Sequence, residues 1–131
     1  MKIEHVALQV DDPAGFARWY VDNLGMVVKR AQNVAPFGHF LADAAGAVMI
    51  EVYRYETLPV PEYRTMNPMM LHLAFSASDV ERDRERLLAA GASAEGDVTV
   101  NEMGDRVAML RDPWGVPVQL VHRHAPMIVG G

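Results

Sequence analysis

Apolar and polar residues alternate over residues 2–10 (KIEHVALQV), with Val6, Leu8 and Val10 on one side and His5, Ala7 and Gln9 on the other. A period of two predicts a strand. The pattern then changes. Asp12 followed by Pro13 is a helix start, because proline at the first helical position gives up no N–H that the helix needs. Phe16, Trp19, Tyr20 and Leu24 recur at helical spacing and predict its buried face, and Gly25 ends it. Strands are expected near residues 26–32, 38–42 and 47–54. A second strand–helix pair follows: Leu71, Leu73 and Phe75 alternate with His72 and Ala74. Ser78 and Glu81 then predict a capping box before a helix that buries Val80, Leu87 and Leu88. Strands are expected near residues 94–101, 106–111 and 116–122.

The two halves repeat. Laying His72 on His5 (72 − 5 = 67) sets HLAFSA on HVALQV and Asp79 on Asp12. DAAG at 43–46 matches DPWG at 112–115, and Asp first with Gly fourth is the signature of a type I turn. An apolar run follows each turn, and Glu51 falls on Gln119 (119 − 51 = 68). Strand, helix, turn and last strand recur in order, which points to duplication. The fold class expected is α+β, built from two βαβββ modules at residues 2–54 and 70–123. The linker at 55–69 is proline-rich and aperiodic, and a tail covers 124–131.

Composition narrows the chemistry. The 131 residues suit one ordinary domain, and with half of them hydrophobic a core can form unaided. There is no cysteine, so disulfides, zinc–thiolate sites and thiol nucleophiles are out. The net charge of −5 and the lack of a basic run argue against nucleic acid. No apolar run approaches a membrane span and no signal-peptide pattern opens the chain, so a cytoplasmic protein is expected.

Four polar residues stand in apolar strands. The large apolar sets should pack under the helices, which turns His5, Glu51, His72 and Gln119 to the opposite face. Each has an ordinary reading: a hydrogen-bonded strand histidine, a polar strand glutamine, or a glutamate paired with Arg54 or Arg106. A carboxylate among Met, Ile, Val and Tyr is seldom buried without a partner. If the modules pair by pseudo-twofold symmetry, two imidazoles and a carboxylate converge and offer a divalent cation three ligands.

The stretches EHVALQV, WYVDNLGM, HLAFSASDVERDRERLLAAGA and LRDPWGVPVQLV resemble the vicinal-oxygen-chelate superfamily over residues 2 to about 123. That superfamily includes glyoxalase I, extradiol dioxygenases and fosfomycin- and bleomycin-resistance proteins. The resemblance implies a cupped mixed sheet and one divalent metal, Zn, Ni, Mn, Fe or Co, held by His5, Glu51, His72 and, more weakly, Gln119. It also implies a small-molecule substrate and a homodimer in which the metal site can be shared between chains. The activity it implies is a metal-dependent lyase or isomerase that stabilises an enolate-like anion, with Glu51 as base. The alternatives are a dioxygenase, a thiol transferase or a metal-free sequestering protein. Gln119 departs from the pattern: Glu is usual there, and an amide cannot take up a proton near neutral pH.

Weaker candidates complete the reading. His39 could line a pocket, His122 and His124 are expected in solvent, and Tyr53 and Trp114 could meet a substrate. The methionines of 64–70 are adaptable apolar surface.

Overall fold

A computed structural model describes residues 1–128; the end of the expected tail, 129–131, lies outside the described residues. The elements are β1 (His5–Gln9), α1 (Pro13–Leu24), β2 (Val27–Ala31), β3 (His39–Ala42), β4 (Met49–Tyr53), a 3-10 turn at Tyr63–Thr65, β5 (Leu73–Ser76), α2 (Val80–Ala89), β6 (Ser93–Val100), β7 (Arg106–Arg111) and β8 (Pro117–His122). The chain divides into two units, Met1–Pro61 and Glu62 onward. Each holds one helix and a four-stranded mixed sheet, with strand orders β1-β4-β3-β2 and β5-β8-β7-β6. In each, the first strand runs parallel to the last, and the other neighbours are antiparallel. No helix among the described residues is long and apolar enough to cross a membrane.

The first unit is closed by α1. Asp12 caps it, its carboxylate accepting from the Gly15 N–H at 3.0 Å, and Gly25 ends it in the left-handed conformation. Its buried face is Pro13, Phe16, Ala17 and Tyr20, with Phe16 and Tyr20 stacked at 4.1 Å. Trp19 and Leu24, expected in that face, are only partly buried. Beneath lie Leu8, Val10, Leu41 and Val52, all buried. Each such side chain contributes about 1.5–3 kcal/mol on leaving water. Val6 shares their face but is exposed, because β1 is an edge strand.

The second unit repeats the plan with Leu87, Leu110, Val116, Val118 and Leu120 at its core. The cap of α2 is Asp79 rather than the expected Ser78: the Asp79 carboxylate accepts from the Arg82 N–H at 3.0 Å. Asp12 and Asp79 are thus equivalent caps, and Glu81 is left free of a capping role to pair with Arg106 at 2.6 Å. Both expected turns form. Gly46 N–H donates to the Asp43 carbonyl and Gly115 N–H to the Asp112 carbonyl, each at 2.9 Å, with φ of 68° and 92° at the glycines. Arg111, buried, pairs with Glu95 and donates to the carbonyls of Tyr63 (2.6 Å), Met66 (2.8 Å) and Gly115 (3.2 Å).

Candidate functional site

Paired residues in a sheet share a face, so the register places the site residues. In the first unit, Ala7 pairs with Glu51, and Glu51 with Phe40. His5 pairs with Met49 and Gln9 with Tyr53. The face turned away from α1 therefore carries Glu51 at its centre, flanked by His5, Phe40 and Tyr53. The small side chain of Ala7 leaves room over Glu51. Gly38 stands beside it: a Cβ there would lie 3.9 Å from Glu51 Oε2 and 3.3 Å from Gln32 Oε1.

His5 and Glu51 are brought together. His5 Nε2 lies 3.7 Å from Glu51 Oε1, which is beyond hydrogen-bond range. The other ring nitrogen is already committed, with Nδ1 2.8 Å from Glu4 Oε1. An ionised carboxylate only accepts, so Nδ1 carries a proton, and in the neutral ring Nε2 presents its lone pair toward Glu51. The Phe40 ring meets the imidazole edge-on at 5.4 Å, and Arg30 lies over the far ring at 5.6 Å. Glu51 is 21% exposed at its side chain, yet neither arginine considered for it serves it. Arg54 lies against Asp11 and Arg106 against Glu81. The ordinary ion-pair reading of Glu51 therefore fails.

In the second unit, Gln119 pairs with Ala74 and with Met109, and His72 lies two residues before Ala74. This is the arrangement of Glu51, Ala7 and His5. His72 was expected within the strand, but ladder pairing starts one residue later, at Leu73 opposite Val118. Its Nδ1 is 2.8 Å from the Pro68 carbonyl, an obligate acceptor. In the neutral ring that fixes the same tautomer as in His5, with Nε2 as the acceptor. No hydrogen bond joins His72 to Gln119. Within the described residues no three His, Asp or Glu side chains are gathered to hold a metal ion; the donors come as one imidazole and one oxygen residue per unit.

The donor chemistry fits a divalent cation. Metal-binding histidines commonly donate their second ring N–H to a carboxylate or a backbone carbonyl, and Glu4 and Pro68 supply one of each. Ligands on a shared metal, with bonds near 2.1 Å, stand roughly 3.0–3.4 Å apart, so the His5–Glu51 gap needs only a small side-chain adjustment.

Other expectations change. His39 lies on the helix side of its strand. It pairs with Val52, is buried, and has Nδ1 2.7 Å from the Phe37 carbonyl. His122 is exposed but not wholly given to solvent, with Nδ1 3.0 Å from the Ala77 carbonyl. The sequence reading missed Glu4, Gly38 and Phe40. Phe40 was findable, since it alternates with His39 and Leu41 within a predicted strand. Glu4 was not, because successive strand residues are expected on opposite faces, whereas Glu4 reaches its neighbour His5.

The model of the Glyoxalase/Bleomycin resistance protein/Dioxygenase superfamily matches residues 2–120. Among solved structures, SMU.1112c is 30% identical with a TM-score of 0.72, covering 93% of this chain and 98% of that one. A glyoxalase family protein from Bacillus cereus is 19% identical with a TM-score of 0.80, covering 95% of each chain. TnmS3, an antibiotic binding protein from Streptomyces sp. CB03234, is 20% identical with a TM-score of 0.72, covering 94% and 96%. Comparison with curated protein sequences finds no match.

Proposed function

Because the chain belongs to the Glyoxalase/Bleomycin resistance protein/Dioxygenase superfamily, we propose that it is a divalent-metal-dependent, glyoxalase-like lyase or isomerase acting on a small oxygenated substrate. The observation that carries this reading is Glu51. It is a mostly buried carboxylate at the centre of a sheet face, with its candidate arginines engaged elsewhere and the Nε2 of a tautomer-fixed histidine as its neighbour. A carboxylate so placed is costly unless a cation or a proton compensates it.

His5 and Glu51 would hold the metal from the first unit, and His72 and Gln119 from the second. Bound there, it would polarise adjacent substrate oxygens as a Lewis acid. The rest falls to the chain. Glu4 and the Pro68 carbonyl keep both imidazoles in the ligating tautomer. Gln119 offers an oxygen and no proton. Glu51 is the one ligating side chain able to accept a proton from a substrate carbon, and its Oε2 faces Gly38. Phe40 shields His5 from water on one side.

Each unit brings one imidazole and one oxygen donor, so a full set needs both, from one chain or from two copies in a homodimer. Sedimentation at micromolar concentration separates these arrangements.

Gln119 supports a second reading, a metal-free protein that sequesters a small molecule, because the amide removes one of two carboxylates usual in glyoxalase-type members. Elemental analysis of untagged protein decides. We expect about one divalent ion per site, with occupancy lost in both His5→Ala and His72→Ala. Equal metal content in parent and variants would overturn the metal-site reading, and no metal in the parent would favour the sequestering protein.

A further inference from the structure

The first unit carries a cleft of about 530 Å³ beyond the end of β4, lined by Phe37, Arg54, Tyr55, Leu58, Pro59 and Val60. Its volume is in the range that holds a drug-sized molecule. Two buried polar side chains are spent on its walls. Gln9 donates from Nε2 to the carbonyls of Tyr55 (2.7 Å) and Leu58 (2.9 Å), and its Oε1 accepts from the Tyr55 N–H (2.9 Å). His39 bonds the Phe37 carbonyl, and the Arg54 N–H donates to the Pro36 carbonyl at 2.8 Å, tying the opposite wall to β4. Phe37 itself has φ of +59°, a left-handed conformation that a residue with a large side chain rarely adopts. The two walls are thus set before any ligand arrives, and they leave Phe37, Tyr55 and Leu58 exposed as large apolar groups.

The charges define what fits. The Arg54 guanidinium donates from Nη1 to the Asp11 carbonyl at 2.9 Å and is half-exposed at its side chain. Asp11 and Glu56 line the same cleft, and two carboxylates against one guanidinium oppose negative charge on a ligand. A polyanion is therefore disfavoured, while a single acceptor oxygen on Arg54 is favoured. The rings of Phe37 and Tyr55 suit a flat apolar partner.

We propose that this cleft binds a flat aromatic group carrying one acceptor oxygen, the ring held among Phe37, Tyr55, Leu58 and Val60 and the oxygen on Arg54. The proposal does not rest on the metal reading, and its test uses the full chain treated with a chelator. Titration with 2-acetylnaphthalene, a neutral ring system with one carbonyl oxygen, followed by amide NMR, should give saturable shifts at Phe37, Tyr55 and Leu58. Arg54→Gln should weaken binding by about tenfold, as loss of a charge-assisted hydrogen bond does. Tyr55→Ala should weaken it as well, and Leu58→Ala, which alters a more exposed side chain, serves if Tyr55→Ala does not fold. Inorganic phosphate should cause no shifts there, and His5→Ala should bind the probe as the parent does. Shifts that map elsewhere, an affinity unchanged in Arg54→Gln, or loss of binding in His5→Ala would overturn the proposal.

Discussion

His5 and Glu51 face one another across β1 and β4 with Nε2 3.7 Å from Oε1, too far to bond directly, while Glu4 holds the opposite ring nitrogen at 2.8 Å. The three side chains form a line, carboxylate, imidazole, carboxylate, with a gap at one end only. The Glu4 contact is exposed and contributes little to stability. Its value lies in fixing the tautomer. Glu4→Gln should therefore lower affinity for Ni²⁺ or Zn²⁺ by about tenfold or more and change unfolding free energy by no more than about 0.5 kcal/mol. Calorimetric metal titration beside urea unfolding checks this. An unchanged affinity would remove Glu4 from the site.

Gln119→Glu gives the second unit the carboxylate that the first has in Glu51. Gln119 is only partly buried, so without metal the change should cost about 1 kcal/mol or less, from a charge in a half-dry place. With Ni²⁺ or Zn²⁺ the melting temperature should rise above that of the parent, since an anionic oxygen binds a dication more strongly than an amide does. Paired thermal melts with chelator and with metal are the measurement. Absence of a metal-dependent rise would speak for the sequestering protein.

Much of this arrangement was legible because sheets impose a period of two. The face carrying His5, Ala7, Glu51 and Tyr53, and the match of Glu51 to Gln119, follow from alternation and the repeat alone, and the register bears out both. What escaped has physical causes. Asp79 and Ser78 are both good caps, and only the backbone decides which carbonyl starts the helix. His39, open in the sequence to either a pocket or solvent, is buried on the helix side, because the odd and even positions of a four-residue strand between loops give no clue to its buried side. Gln9 was placed on the correct face without a role, because its partners are backbone groups of residues 55 and 58, in a segment with no periodicity.

The two turn glycines should differ in tolerance although they occupy equivalent places. At Gly46 an added Cβ meets nothing within 4 Å, so Gly46→Ala carries only the left-handed backbone penalty, about 1–2 kcal/mol. At Gly115 the same atom would lie 2.9 Å from the Arg64 backbone N and Cα. Gly115→Ala should therefore cost about 3 kcal/mol or more, the penalty plus displacement of a backbone segment. Urea unfolding of the two variants should show the gap; equal losses would mean that the Arg64 segment yields freely.

The fold alters the titration of Asp105. The His124 N–H donates to its Oδ1 at 3.0 Å, and Arg123 pairs with Oδ2 at 2.8 Å. These bonds, the backbone one foremost, hold its pKa below the ordinary 3.8. A carboxyl with a lowered folded pKa stabilises the fold fully above its unfolded value, and loses that contribution as pH falls through the folded one. The parent should accordingly exceed Asp105→Asn in stability at pH 7, and the difference should shrink below about pH 3.8. Denaturant melts across pH 2–7 follow it; a pH-independent difference would assign the effect to packing.

The guanidinium of Arg111 reaches three carbonyls and a carboxylate from one strand, and two of those carbonyls belong to Tyr63 and Met66, at either end of the 3-10 turn. A turn of three residues has almost no cooperativity of its own and would ordinarily fray on a fast timescale. Tied to β7, it can open only when Arg111 lets go, and that would strand a buried charge. The segment before β5 is thereby enrolled in the slowest-opening part of its unit. Under native-state hydrogen exchange, the Met66 amide, which donates to the Tyr63 carbonyl, should exchange in step with the β7 amides rather than with the loops on either side.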